Sequence, residues 1–380
     1  MRLASPNRMK ITIIGAGIAG LTTAIALRKS GFETEIFEAA PKLEHAGSGL
    51  GLAANAFKAL AIIGLADKIK SRGSKMYFFE IHNKHGKVLS KVSGSDFGEN
   101  IAIHRADLHE ALLEEIPAGT LHTGKRAMGF EETGKAIRLQ FEDGSTHDTD
   151  FLIIADGINS KLRDAVAPEA KVNYSGYTCW RGVTKNPGKE IKGAYEIWDP
   201  KGRFGYVPLP GNRIYWFACI PAPEGKQLAH FTLADLEKHF GGFGHTVRHL
   251  IEATPAEEVV YDDIRDMEPL KHYSYGNILL IGDAAHAATP NMGQGACQAI
   301  EDAVVLARTM AKRPSVGRSF SSFEKKRLAR THYIMKQSAK IGRIAHLQNP
   351  FLVKLRDMIM PRLPKSFQRN RMRKINKVSF

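Results

Sequence analysis

Apolar and polar positions follow a recurring order at the start of the chain. Ile11 to Ile14 is a β-branched apolar run of the kind that forms a buried strand. A glycine-rich turn, an amphipathic stretch and a second short apolar run that ends at Glu38 follow it. This order predicts a strand, a helix and a second strand, as in a sheet of parallel strands covered by helices.

The pattern changes between residues 171 and 266. Short aromatic runs alternate there with Gly and Pro turns, which predicts a mainly antiparallel sheet. All three tryptophans, Trp180, Trp198 and Trp216, lie in this region. Aromatic strands usually form a core, but such a sheet can also roof an apolar pocket, and the sequence leaves both interpretations open.

The first pattern returns from Asn277 to Ala307, where a buried-type strand, Gly282-Asp283, a Pro/Gly loop and a long helix follow one another. Beyond Lys312 the chain reads as basic helices. We therefore predict an α/β fold: a Rossmann-type nucleotide-binding domain with an inserted, mainly antiparallel sheet and C-terminal helices. The predicted parts are residues 1–170, 171–266, 267–310 and 311–380.

The first glycine-rich turn has the spacing G-x-G-x-x-G at Gly15, Gly17 and Gly20. The first glycine permits a sharp turn, the second leaves room for a pyrophosphate beside the backbone, and the third lets the helix pack closely on the sheet. Glu38 lies where an acid can accept hydrogen bonds from ribose hydroxyls. We predict a dinucleotide site; the alternative is a glycine-rich turn between packed elements.

A second glycine-rich passage contains Gly47, Gly49 and Gly51. Glycines at alternate positions suggest backbone that lies close to something flat or bulky. A loop without a ligand is the alternative.

The composition is that of an ordinary globular protein, with 380 residues of which 43% are hydrophobic. The three cysteines, Cys179, Cys219 and Cys297, form no CxxC pair and no metal-ligand pattern, so we expect reduced thiols and a cytoplasmic protein without a bound metal. The N-terminus lacks the apolar core of a signal peptide, and no apolar run approaches the ~18 residues of a membrane span. We expect neither secretion nor membrane insertion.

The positive charge is concentrated at the C-terminal end. Residues 308–380 hold 20 Lys and Arg against two acids, whereas the rest of the chain holds 34 basic and 37 acidic residues. Anionic lipid, nucleic acid, an anionic substrate and a solvated helical face can each explain this segment. Its apolar stripe predicts a weak peripheral contact with anionic membrane, with packing on the nucleotide domain as the alternative and no nucleic acid expected. The stripe consists of Phe351, Leu352, Leu355, Met358 and Ile359.

Three ordered motifs together resemble one enzyme family. GAGIAG with Glu38, DGINSKLR (Asp156 to Arg163) and GDAAHAATPNMGQGACQAIED (Gly282 to Asp302) look like those of the single-component FAD-dependent aromatic hydroxylases, which include para-hydroxybenzoate hydroxylase. The resemblance covers residues 10 to 310.

The resemblance implies roles for individual residues. Gly15, Gly17, Gly20 and Glu38 would bind the ADP half of FAD, and Arg105 its pyrophosphate or ribityl chain. Asp156 would belong to a motif for FAD and pyridine nucleotide, while Asp283 would hold ribityl hydroxyls. His286 is expected to be a packed or capping residue. The isoalloxazine would be lined by the residues also expected to shape the catalytic site: Pro290, Gly293 and Gly295.

The resemblance also implies the reaction. NAD(P)H would reduce FAD, and O₂ would form a flavin C4a-hydroperoxide that hydroxylates an aromatic or heteroaromatic small molecule. Only one dinucleotide fingerprint follows a strand-like run, so no separate NAD(P)H domain is expected. One alternative is an FAD-dependent reductase of the same fold acting on an unsaturated or prenyl-type substrate. Another is a flavin-free binding protein with a basic tail.

Candidate substrate residues lie in the aromatic insertion. Arg181, Arg203 and Tyr215 are the polar candidates, with Phe204, Trp216 and Phe217 as walls. Arg203 and Tyr215 lie on facing strands of a predicted hairpin, and similar Arg and Tyr positions occur in flavin-dependent urate hydroxylases. Structural ion pairs and core packing are the alternatives for each residue. The implied substrates are a phenol, a heteroaromatic acid, a purine-like ring or a polycyclic antibiotic.

Overall fold

A computed structural model of the chain describes residues 9–43, 48–94, 98–134, 136–186, 188, 190–225, 227–312 and 315–380. The strands run as β1 Ile11–Ile14, β2 Thr34–Phe37, β3 Gly49–Leu52, β4 Gly73–Lys75, β5 Phe78–Asn83, β6 Val88–Ser93, β7 Ile101–His104, β8 Leu121–His122, β9 Ala127–Thr133, β10 Ala136–Phe141, β11 Thr146–Thr149, β12 Phe151–Ile154, β13 Val172–Lys185, β14 Ala194–Asp199, β15 Gly202–Leu209, β16 Arg213–Pro221, β17 Val260–Met267, β18 Ser274–Tyr275 and β19 Ile278–Leu280.

The α-helices are α1 Ile18–Lys29, α2 Ala54–Ile62, α3 Ala66–Ser71, α4 Arg105–Leu113, α5 Lys161–Val166, α6 Leu233–Phe240, α7 His245–Glu252, α8 Asp283–His286, α9 Gly295–Ala311, α10 Val316–Ala345, α11 Pro350–Ile359 and α12 Lys365–Asn376. None of them, within the described ranges, combines the length and the apolar character that crossing a bilayer requires.

A sheet in the order β18-β19-β12-β1-β2-β8 forms the centre of the nucleotide-binding part. Its strands are parallel except for the edge strand β18. β1, β12 and β19 are almost wholly apolar and buried, as expected for parallel strands covered on both faces. Helices α1 and α9 pack against each other over this sheet, so the two nucleotide-type motifs meet although they lie far apart in the sequence.

The inserted sheet has the order β17-β13-β16-β15-β14-β5-β6 and is antiparallel except between β14 and β5. It therefore includes β5 and β6, which precede the predicted insertion. One face carries Trp180, Phe204 and Trp216 and packs on helices α6 and α7. The other face turns toward the nucleotide-binding part, where it can roof a site.

Two small three-stranded sheets complete the described strands. One has the order β11-β10-β9 and the other β3-β7-β4. The long helix α10 packs along α9, and its last turns reach the inserted sheet, where His346 stacks on Tyr177 with ring centroids 4.1 Å apart. Helix α10 therefore links the two main sheets.

Candidate functional site

The first glycine-rich turn has the geometry that a dinucleotide site needs. Gly15 has φ +102°, and a Cβ there would lie 2.5 Å from the carbonyl oxygen of Ala155. A Cβ at Gly20 would collide with the carbonyl oxygen of Gly15. A Cβ at Gly17, by contrast, meets no atom within 4 Å. Two of the glycines are therefore fixed by packing, while Gly17 borders open space at the start of α1.

That open space is suited to an anion. Gly17 precedes α1 without a side-chain cap, so the first backbone N–H groups of the helix stay available. Glu38 lies beside them: its Oε2 accepts from the Ala16 N–H at 2.8 Å, and its Oε1 accepts from the Ala40 N–H at 2.8 Å. Each carboxylate oxygen keeps a second lone pair, with which it can accept a ribose hydroxyl.

Asp156 follows β12 at the carboxyl edge of the parallel sheet. Its Oδ1 is buried and has no hydrogen-bond partner in the described part of the chain. Burial raises the pKa of Asp156 to about 6, and Ser160 and Arg163 offset this only in part. Arg163 is itself buried and donates to the Ile158 carbonyl at 2.7 Å, so it shapes this loop. An orphaned carboxylate oxygen at this edge suits a ligand that brings donors.

Asp283 begins α8 at the same edge of the sheet. Its side chain is exposed, yet desolvation by the surrounding protein raises the pKa of the carboxyl, while His286 and Arg105 act in the opposite direction. The carboxylate thus lies in a cleft that is deep but open. A Cβ at Gly295 would lie 3.9 Å from the Asp283 Oδ1, so the start of α9 is close by. The structure therefore brings together Asp283, Arg105 and Gly295.

The loop before α9 contains the predicted ring-facing residues. Pro290–Met292 forms a 3₁₀ turn, and Gly293 follows with φ +59°, in the left-handed region that favours glycine. A Cβ at Gly293 would meet no atom within 4 Å, so one side of the loop is open. A flat group can approach the backbone there.

Asn291 connects this loop to the inserted sheet. Its Oδ1 accepts from the Arg203 guanidinium and from the Tyr177 hydroxyl, the latter at 3.1 Å. Its Nδ2 donates to the Thr289 Oγ1 at 2.8 Å and to the Ser338 carbonyl, on α10, at 3.0 Å. One side chain thereby fixes the distance between the loop and the sheet above it. We call the face of the sheet that Asn291 contacts its loop-facing side.

Arg203 is buried on the loop-facing side and is paired. Its Nη1 lies 2.8 Å from the Glu196 Oε1, and its guanidinium stacks over the rings of Tyr177 and Phe217, with centroid distances of 5.4 and 5.7 Å. The ion-pair alternative is therefore present for Arg203. A direct contact with substrate stays a prediction.

Arg181 and Tyr215 lie on the same side as Arg203. Tyr215 is opposite Val183 on β13, and Arg181 is opposite Phe217 on β16. Arg203 pairs with Cys219, four residues beyond Tyr215, so Arg203 and Tyr215 are roughly 13 Å apart along the sheet. Arg181 is half-buried between them and forms no ion pair with a carboxylate in the described ranges.

The prediction that Phe204 and Trp216 line the substrate site is wrong. Phe204 and Trp216 lie on the opposite face, stacked on each other at 5.4 Å and packed against Phe240 of α6 and the rest of the helical core. Phe217 is on the loop-facing side, since a Cβ at Gly205 would collide with its ring.

The second glycine-rich passage is close to a ring from the protein itself. A Cβ at Gly49 would collide with the Tyr215 ring, so the expected close approach is present, to a side chain of the inserted sheet. Gly47 lies outside the described residues. Gly51 is less tightly placed, with the nearest atom, Met76 Cε, at 3.8 Å.

A buried polar network supports the cofactor loops from below. Asp302 accepts from the Gly282 N–H at 2.9 Å, from His286 at 2.7 Å and from the Arg327 Nε at 2.6 Å. Burial opposes its charge, but His286 and Arg327 outweigh burial and lower the pKa of Asp302 to about 2. As expected, His286 is a packed residue. Its partner Asp302 holds the turn that presents Asp283.

Glu301 extends this network to the next loop and to the C-terminus. It accepts from the Asn55 Nδ2 and the Arg330 guanidinium, each at 2.5 Å, and Asn55 also donates to Gln294, next to Gly295, at 3.0 Å. Arg330 donates in addition to the Ile375 carbonyl at 2.7 Å. Sequence reasoning missed these residues and Asn291. Three of them, Asn291, Glu301 and Asp302, stood inside the quoted third motif.

The donor set fits FAD. The free helix start at Gly17 suits a pyrophosphate, Glu38 suits a ribose, and the open carboxylate of Asp283 suits ribityl hydroxyls. The space beside Gly293 suits a ring. The individual contacts stay predictions.

Comparisons with known proteins agree with this fit. A family profile described as an FAD binding domain matches residues 8–338. The aurachin C monooxygenase/isomerase of Stigmatella aurantiaca is 34% identical over 358 residues, which cover 93% of this chain and 94% of that protein. The 2-heptyl-3-hydroxy-4(1H)-quinolone synthase of Pseudomonas aeruginosa strain UCBPP-PA14 is 33% identical over 371 residues, covering 95% and 96%.

A solved structure has the same architecture. Klebsiella pneumoniae HpxO, complexed with FAD and uric acid, matches with a TM-score of 0.90 at 27% identity, covering 99% of this chain and 98% of that one. The chain belongs to the family of FAD-dependent aromatic hydroxylases.

Membership confirms the resemblance, the fold class and the cofactor. The protein is a flavoprotein monooxygenase that uses FAD, with NAD(P)H as the co-substrate typical of the family. A small-molecule substrate and O₂ are consistent with the relatives. The reductase alternative fits less well than monooxygenation.

Proposed function

We propose that the protein hydroxylates an uncharged bicyclic heteroaromatic ring of the 4-quinolone class that carries an apolar substituent. Two relatives support this class: the proteins of two Pseudomonas aeruginosa strains that, by their name, make 2-heptyl-3-hydroxy-4(1H)-quinolone. The structural observation that carries the proposal is the largely apolar loop-facing side of the inserted sheet, on which the charge of Arg203 is already paired with Glu196.

Around Arg203 this side is neutral because of pairing and burial. The charge of Arg203 is balanced by Glu196 at 2.8 Å, and both side chains are buried. Burial raises the pKa of Tyr177, so its hydroxyl stays protonated and donates to Asn291. Burial, with the Arg203 charge, lowers the pKa of His346 to about 3, so its ring is uncharged. A carboxylate placed here would lack an available counter-charge at Arg203.

Apolar side chains continue this side toward the small sheet. Val183 and Leu209 are buried with Ala102, and Val207 and Met76 pack on them. This cluster lies beside Tyr215 and is suited to an alkyl or aromatic substituent. A purine-like ring such as urate has no such substituent to bury.

Arg181, on the same side, supplies a cation that has no carboxylate partner among the described residues. We propose that it binds the ring carbonyl oxygen of the substrate. A guanidinium can donate to a carbonyl and stabilise negative charge that develops on that oxygen when the adjacent ring carbon is attacked. Tyr215, close to Arg181, would donate a second hydrogen bond.

The protein's own contribution is binding, orientation and exclusion of water. FAD, when bound, supplies the redox chemistry by taking a hydride from NAD(P)H and activating O₂. We propose that Asp283, Arg105 and the start of α1 hold the cofactor. Pro290, Gly293 and Gly295 would leave space beside backbone N–H groups where the oxygen atom is transferred. Asn291 would keep this loop at a fixed distance from the substrate roof.

A substrate panel tests the proposal. The FAD-loaded protein is mixed with NADH or NADPH and with 2-heptyl-4(1H)-quinolone, urate, salicylate or 6-hydroxynicotinate. We expect the quinolone to accelerate NAD(P)H oxidation and to gain one oxygen atom by mass spectrometry. Acceleration by one of the acids or by urate, with none by any quinolone, would refute the substrate class.

A matched ligand and variant test the role of Arg181. The corresponding quinoline without the carbonyl should bind poorly, and Arg181→Met should raise the KM for the quinolone roughly 10-fold or more, the loss expected for a charged hydrogen bond. Arg181→Lys should recover part of the loss. If Arg181→Met leaves KM and kcat unchanged, Arg181 does not contact the substrate.

We further propose a cytoplasmic location and a weak peripheral contact with membrane through the basic C-terminal segment. Three free, buried cysteines support a reducing compartment, and an exposed apolar stripe supports the contact. Fractionation of cells tests the first: recovery from the culture medium or the periplasm would contradict it.

A further inference from the structure

Exposed apolar side chains are concentrated in one short segment. Among the large hydrophobic residues that are exposed in the described part of the chain, seven of eleven lie between residues 351 and 367. Phe351 is 74% exposed and Phe367 56% exposed. Soluble proteins rarely leave such a cluster uncovered unless it meets a partner or a membrane. The members are Phe351, Leu352, Leu355, Met358, Ile359, Leu363 and Phe367.

Helix α11 turns its apolar side outward. Phe351, Leu355 and Met358 follow the helical repeat and are exposed, whereas Arg356 is buried. The stripe therefore does not pack on the nucleotide-binding part, which was the alternative to a membrane contact.

Polar contacts hold α11 in this orientation. The Arg356 guanidinium lies over the Trp198 ring at 5.4 Å and donates to the Ile344 carbonyl at 3.3 Å. Asn83 donates to the Asp357 carboxylate at 3.1 Å, and Lys87 donates to the Asp357 carbonyl at 2.9 Å. A rotation that buried the apolar stripe would break these contacts.

The charge around the stripe favours an anionic surface. Residues 349–380 hold nine Lys and Arg and one acid, Asp357. Lys354 and Arg362 are exposed beside the apolar side chains. An amphipathic helix with aromatic and aliphatic residues on one side and basic residues around them is suited to the interface of an anionic bilayer.

We infer that α11 and the beginning of α12 form a surface that docks on an anionic lipid bilayer. A second copy of the chain is a poorer occupant, because a two-fold interface would bring two strongly basic patches together. Nucleic acid is also a poorer occupant, because most exposed members of the patch are aliphatic and offer no stacking surface for bases.

The position of this surface gives it a function. Trp198, on which Arg356 packs, is opposite Arg203 and thus on the loop-facing side of the inserted sheet. Docking would hold the inserted sheet, which roofs the site, close to the bilayer. A substrate ring with an alkyl substituent partitions into that bilayer. This benefit rests on the proposed substrate class, whereas the docking itself does not.

Vesicle flotation of the FAD-loaded full chain tests the docking. Phosphatidylcholine vesicles are compared with vesicles that also contain phosphatidylglycerol, at low and high salt. We expect flotation with the anionic vesicles at low salt and release at high salt, because salt screens the basic residues. Failure of the wild-type protein to float with anionic vesicles at low salt would overturn the inference.

Matched variants separate the patch from general stickiness. Phe351→Ser with Phe367→Ser should lower the vesicle-bound fraction roughly tenfold, since the apolar anchor is lost. Met128→Ser, at an exposed position on β9, should not change it. Equal vesicle binding by the double variant and the wild type would overturn the inference. It would also be overturned if the wild type formed a dimer that the double variant does not form, and did not bind vesicles. Vesicle binding without turnover of any quinolone would refute only the substrate proposal.

Discussion

Replacement of Gly17 by valine separates cofactor binding from folding. Gly17 has φ −73° and ψ −175°, which valine can adopt, and a Cβ there meets no atom within 4 Å. The apo protein should therefore lose about 1 kcal/mol of unfolding free energy or less, through a poorer helix start. The valine would fill the space proposed for the pyrophosphate.

The loss of affinity follows from the contacts removed. One charged backbone hydrogen bond is worth ~1.5–3 kcal/mol and the helix dipole adds ~0.3–1 kcal/mol. Together they give ~2–4 kcal/mol, or roughly a 30- to 1,000-fold rise in the Kd for FAD. Flavin fluorescence titration of apo protein measures this Kd, and thermal unfolding of the same preparation measures stability.

Two matched glycines complete the experiment. At Gly129 a Cβ would also meet no atom within 4 Å at ordinary backbone angles, on a strand outside the proposed site. Gly129→Val should therefore leave the Kd for FAD unchanged. Gly20→Ala should lower the unfolding temperature instead, because its Cβ collides with the Gly15 carbonyl. If Gly17→Val binds FAD as tightly as the wild type, the pyrophosphate does not lie there.

Three further substitutions probe the same cleft. Asp283→Asn should raise the Kd for FAD roughly 10- to 150-fold, because charged hydrogen bonds to the cofactor are lost. The same variant should keep or increase the stability of the apo protein near pH 7, because desolvation already raises the pKa of the carboxyl. Gly295→Val should lower the ratio of product to NAD(P)H consumed, with hydrogen peroxide replacing product; an unchanged ratio would contradict a role in oxygen transfer. Burial raises the pKa of Asp156 from 3.8 in the unfolded chain to about 6 in the folded apo protein. The protonated carboxyl therefore contributes to stability at low pH, and this contribution is lost as pH rises from about 3.8 to about 6. Unfolding of Asp156→Asn between pH 4 and 6.5 should lack this decrease.

The nucleotide-binding part was predictable because its signals are local. The three glycines and Glu38 stand within one strand-helix-strand unit, in which packing fixes Gly15 and Gly20 while Gly17 borders open space. The position of Asp283 was predictable for the same reason, since a carboxylate after a buried strand lies at the ligand-binding edge of such a sheet.

The substrate roof was less predictable because it depends on register and on which face is covered. Alternation shows that Arg203 and Phe204 point to opposite sides of β15, but not which side meets the loop. Helices α6 and α7 decide this by covering the side with Phe204 and Trp216. The partners of Asn291 on the inserted sheet, Arg203 and Tyr177, lie 88 and 114 residues away in sequence, and no local pattern links them to Asn291.

The C-terminal stripe shows what a pattern and a structure each contribute. Helical spacing of Phe351, Leu355 and Met358 predicts one apolar side, and a single chain normally buries such a side against itself. Here the apolar side of α11 points outward instead, because Arg356 and Asp357 hold the polar side against the protein. Their partners, Trp198 and Asn83, lie in distant parts of the chain. A polar side fixed by specific contacts leaves the apolar side without an internal partner. This arrangement is explained if the helix evolved to meet a surface outside the protein.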